Sequence, residues 1–300
     1  MTGMQVPTPQ GPVIGTMANP RVRQFLGIPY ATAKRWEAPM LPPIRSSPLS
    51  ADTFGDSCVQ ELNPTLVDFL SLAGFDNATI FVPESENCLT VNIWTPSPDR
   101  KQDAAVLLWV YGGSFIAGTN IVRDNDDIVV VSFNYRLNIF GFPNAPQLIS
   151  NTTQPQNFGL LDLDAAVQWV HDNIAAFGGD PERIVLFGQS AGAVAIDAYT
   201  FAHPQDTIVK GGDLFIVSSL ETAMLTASFV KGVIEESGNL VRAMAGNFLR
   251  VPLLGGTTAN EGDVFVLAQE LVDNGVVFPD PTEIVSDPDL TEIVSDLLTQ

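Results

Sequence analysis

The sequence predicts an α/β fold built on a mostly parallel sheet with helices on both faces. Three observations carry this expectation. Ala104–Val110 is an uninterrupted apolar run, the pattern of a central strand buried on both sides, and Ile128–Phe133, apolar but for Ser132, reads as a second central strand. Leu160–Ala176 has helical spacing, with Leu163, Ala166, Val167, Val170 and Ile174 on one side. The apolar run Ile184–Phe187 then passes through Gly188-Gln189-Ser190-Ala191-Gly192 into small residues of helical character, Ala193–Ile196. Apolar strands alternating with helices imply crossover connections, and these make a sheet parallel.

The remaining elements follow in order. Residues 12–30 alternate short apolar runs with Gly and Pro, as edge hairpins do, and 38–48 is a Pro-rich loop. Residues 54–85 read as loop with one short helical pattern near Leu66–Leu72, and Leu89–Trp94 reads as a strand. Gly178-Gly179-Asp180-Pro181 ends the long helix. Gly232–Gly238 and Val251–Gly256 are later strands. The hexapeptide Thr-Glu-Ile-Val-Ser-Asp stands at 282–287 and again at 291–296, too short a period for a solenoid.

Composition narrows the function. Three hundred residues allow one large α/β domain or two small ones, and four tryptophans with eighteen phenylalanines argue against disorder over most of the chain. A net charge of −20 argues against nucleic acid or an acidic membrane surface as partner. No apolar run reaches membrane-spanning length, so no transmembrane segment is expected. No His/Cys/Asp cluster has ligand spacing, so neither metal nor cofactor is implied. Cys58 and Cys88 are either two buried thiols or one bridge. Sequons at Asn77-Ala78-Thr79 and Asn151-Thr152-Thr153 point to an extracellular protein. Met1–Gly15 lacks the apolar core of a signal peptide, which keeps a cytoplasmic location open.

Strand, G-x-S-x-G and helix together make a nucleophile elbow around Ser190. The serine must stand on a strained turn with its hydroxyl clear of the sheet, and side chains at Gly188 or Gly192 would strike neighbouring elements. The same turn aims the Ala191 amide at whatever Ser190 attacks. A serine nucleophile also needs oxyanion donors, a base, and a carboxylate that orients the base. Gly112-Gly113-Ser114, directly after a central strand, is a turn that presents consecutive backbone amides.

These motifs, in this order, resemble the type-B carboxylesterase/lipase family of the α/β-hydrolase superfamily, which includes the cholinesterases and fungal lipases. The resemblance runs from Gly11 to about Val266. It includes Phe25-Leu-Gly-Ile-Pro-Tyr30, Ser85-Glu-Asn-Cys-Leu89, Tyr111-Gly-Gly-Ser-Phe115 and Asn134-Tyr-Arg136. Trp169–Pro181, the elbow, Glu236-Ser-Gly238 and Thr258-Ala-Asn-Glu-Gly262 continue it. The resemblance implies hydrolysis of a small-molecule or lipid ester, with Ser190 as nucleophile and Glu261 as triad acid. It also implies oxyanion amides at Gly113, Ser114 and Ala191. It pairs Cys58 with Cys88 in a disulfide, and makes Arg35–Glu86 and Arg136–Asp162 buried structural ion pairs. A cholinesterase proper is not implied, because no Trp lies between Cys58 and Cys88 and Gln189 precedes the nucleophile.

The chain departs from the family in four places. The triad histidine is missing: the only histidines are His171, within the long helix, and His203, roughly 15–20 Å along the elbow helix. Sequence towards the family's C-terminal motif is absent, which makes 1–300 a single, partial α/β-hydrolase domain. The connection from Phe115 to Ile128 and the excursion between Ser237 and Glu261 are short. Residues 212–231 read as an atypical insertion, because Ile208-Val-Lys-Gly211 nearly recurs as Phe229-Val-Lys-Gly232. The alternative function is therefore a catalytically inactive fragment or a binding-only relative. Oligomeric state and ester preference are not legible in the sequence.

Overall fold

A computed structural model describes residues 4–60, 82–100, 103–112, 128–143, 156–189, 191–215, 249 and 253–256, with the backbone alone for 189, 213–215 and 253–256. Its strands in chain order begin with β1 (Gln5–Val6), β2 (Val13–Ile14), β3 (Thr16–Asn19), β4 (Val22–Pro29), β5 (Leu49–Ser50), β6 (Ser57–Cys58) and β7 (Glu84–Ser85). The later strands are β8 (Thr90–Pro96), β9 (Ala104–Val110), β10 (Ile128–Phe133), β11 (Gly179–Gln189), β12 (Val209–Phe215) and β13 (Leu253–Gly256). A single turn, α1 (Asn138–Gly141), precedes the long helices α2 (Phe158–Phe177) and α3 (Ala191–Ala202).

Eight of these strands form the central sheet in the order β13-β12-β11-β9-β10-β8-β4-β3. The five from β13 to β10 are parallel, and β8, β4 and β3 continue antiparallel. The mostly parallel sheet read from the sequence is present, and β9 and β10 have the bounds of the two apolar runs. Parallel neighbours bring the carboxyl ends of β9, β10 and β11 to one rim. That rim receives the turn after β9 and the elbow after β11.

Burial corrects one expectation. Val106, Leu108 and Val110 are fully buried, but Ala105, Leu107 and Trp109, which alternate with them, are only partly so. Successive strand residues face opposite sides of the sheet. Among the described residues both α2 and α3 cover the Val106/Leu108/Val110 side, through Val167, Val170, Ile174, Ala193 and Ile196. The other side carries a smaller cluster of Val22, Leu26, Trp94 and Val130, against which Leu107 packs. An apolar run measures strand character without reporting how thickly each face is covered.

Helix α2 buries the predicted stripe: Leu163, Ala166, Val167, Val170 and Ile174 are all buried. It stops at Gly178, whose φ of 97° is a left-handed conformation that glycine adopts without Cβ strain. The Gly178 amide closes the helix on the carbonyls of Ala175 and Ile174. The carbonyl of Phe177, left without an intrahelical donor, accepts from Arg23 Nη2 at 3.1 Å and from Thr95 Oγ1 at 2.7 Å. Arg23 also donates through Nε to Pro96 O at 3.0 Å and is 4% exposed. A guanidinium at a helix C-terminus satisfies both the dangling carbonyl and the dipole.

Strand β12 carries Gly212–Phe215, the first residues of the block expected to be inserted, between β11 and β13. Residues 216–231, the pattern near Leu66–Leu72, the strand at 232–238 and the repeat at 282–296 lie outside the described residues.

Cys58 and Cys88 form a disulfide across a sequence separation of 30. In the chain-entropy account a loop of this length raises stability by about 2–4 kcal/mol, by restricting the unfolded chain. Cys58→Ala/Cys88→Ala is expected to lower the unfolding free energy by that amount in urea titrations. A midpoint unchanged within error would show that the bridge carries no stability.

Candidate active site

The elbow is shaped by its glycines. A Cβ on Gly192 would lie 2.0 Å from the carbonyl oxygen of Val110 and 2.7 Å from its carbon. One on Gly188 would lie 2.8 Å from the same oxygen and 2.9 Å from Gly192 C. The first turn of α3 and the last residues of β11 therefore close on the carboxyl end of β9, with room for hydrogen only. Ala191 opens α3, where first-turn amides have no intrahelical acceptor. Ser190, between β11 and α3, lies outside the described residues, as do Gly113, Ser114 and Glu261.

The rim beside the elbow holds a feature that sequence reading missed. Tyr111 leaves β9 and Tyr135 follows β10, their rings stacked with centroids 4.4 Å apart. Tyr135 Oη donates to the Tyr111 carbonyl at 2.6 Å, and Tyr111 Oη donates to the Tyr135 carbonyl at 3.0 Å. The Tyr135 amide donates to Tyr111 Oη at 3.2 Å. Burial raises the pKa of both phenols, so both remain protonated donors. The peptide carbonyl before Gly112 is thereby fixed. A tyrosine just past the carboxyl end of each of two neighbouring parallel strands was the available signal.

Both expected ion pairs form, and one needs correction. Arg136–Asp162 is buried, at 5% and 0% exposure: Nη2–Oδ1 is 2.7 Å and Nε–Oδ2 is 2.8 Å. Arg35–Glu86 is a surface pair, with side chains 51% and 40% exposed. Arg35 stands on an exposed loop and spreads over the ring of Phe140, 5.2 Å from its centroid, so the family's pairing survives without burial.

Neither histidine faces the elbow. His171 is on α2 beside Asp172, with Nδ1 3.1 Å from Oδ1. His203 lies past the far end of α3, a twelve-residue helix about 18 Å long. Its Nε2 is 2.9 Å from Asp164 Oδ1 on α2, and its ring centroid lies 4.4 Å from that of Tyr199. The Asp164 hydrogen bond raises the His203 pKa against the desolvation that lowers it, and Asp206 adds a further negative field. The folded-state pKa lies above the unfolded value, so the pair's stabilisation is complete below about pH 6.5 and is lost as pH rises through the raised pKa. The pair is more than a third exposed, and solvent screening keeps its contribution under about 1 kcal/mol. The stability gap between the parent and His203→Gln is therefore expected to narrow on going from pH 6 to pH 9. A gap independent of pH in urea titrations would overturn this.

No group of three or more His, Cys, Asp or Glu among the described residues is placed to hold a metal ion. No described helix is long and apolar enough to cross a membrane.

A mostly parallel sheet, with a helix that follows β11 and presses on the neighbouring strand, is the arrangement of the α/β-hydrolase fold. The solved structure of a thermophilic PNB esterase aligns with 99% of this chain and 75% of its own, at a TM-score of 0.64 and 26% identity. Residues 2–215 match the carboxylesterase family, and the chain belongs to that family. It is 38% identical over 226 residues to a chlorogenic acid esterase of Aspergillus niger, covering 69% of this chain and 43% of the relative. It is 35% identical over 217 residues to secreted lipase 5 of Gibberella zeae, covering 64% of this chain and 40% of the relative. The chain thus spans less than half the length of these two relatives. Both are hydrolases by name, which lends no support to the inactive or binding-only alternative.

Proposed function

We propose that the protein hydrolyses carboxylic esters by acyl transfer to Ser190 and then to water. The observation that carries this reading is the close approach of Gly188 and Gly192 to the Val110 carbonyl, which suits a residue between β11 and α3 to stand clear of the sheet. In this reading Ser190 Oγ attacks the ester carbonyl and the tetrahedral oxyanion accepts from the amides of Gly113, Ser114 and Ala191. Glu261 orients the imidazole that takes the serine proton. His171 on α2 and His203 just past the far end of α3 are both held away from the elbow, so the base is assigned to sequence that these 300 residues do not supply. The substrate is a small-molecule or lipid ester, and the place of work is extracellular. The Cys58–Cys88 bridge, the two sequons and the secreted lipase relative support that location.

The test is hydrolysis of p-nitrophenyl butyrate, with Ser190→Ala as control. It is run on the 300-residue chain and on the product of the sequenced transcript. Turnover confined to a longer product and lost in the control supports the assignment. Serine-dependent turnover by the 300-residue chain alone would move the base to a residue within it. No serine-dependent turnover by either would overturn the reading. The same transcript decides whether 212–231 is inserted: a message encoding that block in frame refutes the insertion.

A further inference from the structure

Exposed apolar side chains concentrate at one loop. Ile44 and Leu41, 81% and 72% exposed, are the most exposed large hydrophobics among the described residues, and Met40 at 57% adjoins them. Slack chain does not explain this. The Met40 amide and carbonyl both bond to Thr32 at 2.8 Å, Pro42 is buried, and the Arg45 amide reaches Gln10 O at 2.8 Å. Pro42 and Pro43 stiffen the backbone between these anchors, and Pro39 leads into the first of them. The apolar side chains are presented by a fixed loop.

The loop also has a defined place. Trp36 Nε1 donates to Ile139 O at 3.0 Å, and Arg136 Nη1 donates to Glu37 O at 2.8 Å. Tyr30 Oη donates to Asn134 O at 2.7 Å. Residues 134–139 leave the sheet at the carboxyl end of β10, which is parallel to β9, so the loop is fastened to the rim that carries Tyr111, Gly112 and the elbow. Ile139 is itself 52% exposed on that rim.

Charge selects the partner. The chain as a whole carries −20 and is repelled by an anionic surface. Around the loop Lys34 pairs with Glu37 at 3.9 Å and Arg35 pairs with Glu86, while Arg45, whose Nη2 meets the neutral Gly11 carbonyl at 3.3 Å, keeps one positive charge. A clustered apolar surface with one uncompensated positive charge beside it, on a strongly anionic chain, suits a surface without net charge. We propose that Met40, Leu41 and Ile44 seat this protein on an electrically neutral lipid–water interface, with the nucleophile rim beside it. The proposal does not depend on ester hydrolysis.

The experiment is co-sedimentation of the 300-residue chain with phosphatidylcholine vesicles, and with vesicles in which part of the phosphatidylcholine is replaced by phosphatidylglycerol. The parent is expected to partition onto phosphatidylcholine, and more weakly as phosphatidylglycerol is added. Leu41→Asp/Ile44→Asp is expected to lower partition at least tenfold at unchanged thermal midpoint. Met17→Asp, at an exposed apolar position on β3, is expected to leave it unaltered. Absence of parent binding, equal binding by the double variant, or binding that strengthens with phosphatidylglycerol would overturn the proposal. So would a parent that self-associates in light scattering, becomes monomeric in the double variant and ignores vesicles; the loop would then be an interface between copies.

Discussion

Asp162→Asn is expected to destabilise the protein by about 3–5 kcal/mol, much of the 5–15 kcal/mol that holds a typical domain folded. Asp162 is fully buried and accepts three donors from one residue: Arg136 Nη2 at 2.7 Å, Nε at 2.8 Å and the backbone amide at 3.0 Å. The guanidinium also donates through Nη1 to the carbonyls of Glu37 at 2.8 Å and Lys34 at 3.4 Å, and it stacks over Phe158, 5.3 Å from the ring centroid. Asparagine keeps the shape and removes the charge, so a buried cation stays behind without its counter-ion. The cost is the penalty of that orphan rather than the worth of the pair, and Arg136→Met/Asp162→Leu is expected to recover part of it. Urea unfolding of the three proteins checks this. A single variant within about 1 kcal/mol of the parent would show that water reaches Arg136.

Gly192→Ala is the second large effect. The new methyl would sit 2.0 Å from the Val110 carbonyl oxygen, and that oxygen belongs to the backbone of a central strand, which cannot swing aside. Overpacking of a well-filled interior costs about 1–3 kcal/mol. Backbone on both sides places this case at the upper end or beyond. The relaxation open to the molecule is to lift the first turn of α3 from β9, and that moves Ala191 and whatever precedes it. Soluble yield and thermal midpoint are expected to drop together, and serine-dependent turnover in any active form is expected to fall further than stability does. An unperturbed midpoint in Gly192→Ala would mean that α3 and β9 are further apart than described.

The sequence revealed the elements where chemistry is local. Apolar runs marked β9 and β10 to the residue, 3.6-residue spacing marked the buried side of α2, and Gly178 marked its end. The glycines at 188 and 192 foretold a collision before its partner, Val110, was known. What stayed hidden depends on contacts between residues far apart in the chain. A tyrosine after each of two strands hints at a contact, but nothing near Tyr111 shows that its carbonyl is tied to the Tyr135 hydroxyl, or that Arg23 caps a helix ending at Phe177. The exposure of Arg35–Glu86 was missed for a related reason: a family pairing fixes who meets whom, while depth depends on what packs above. The half-buried Leu107 and Trp109 were hidden because a strand's composition does not say which of its faces a helix will cover.

The hydrogen bond from Arg23 to Phe177 sets a timetable for the growing polypeptide, since its partners are separated by 154 residues. At about 5–20 residues per second, the ribosome releases the helix end roughly 8–30 s after the arginine. Throughout that interval β4 carries a cation destined for burial, with one of its acceptors, the Phe177 carbonyl, not yet made. This bond therefore fastens the β3–β4 hairpin to the helix end only once the middle of the chain has arrived.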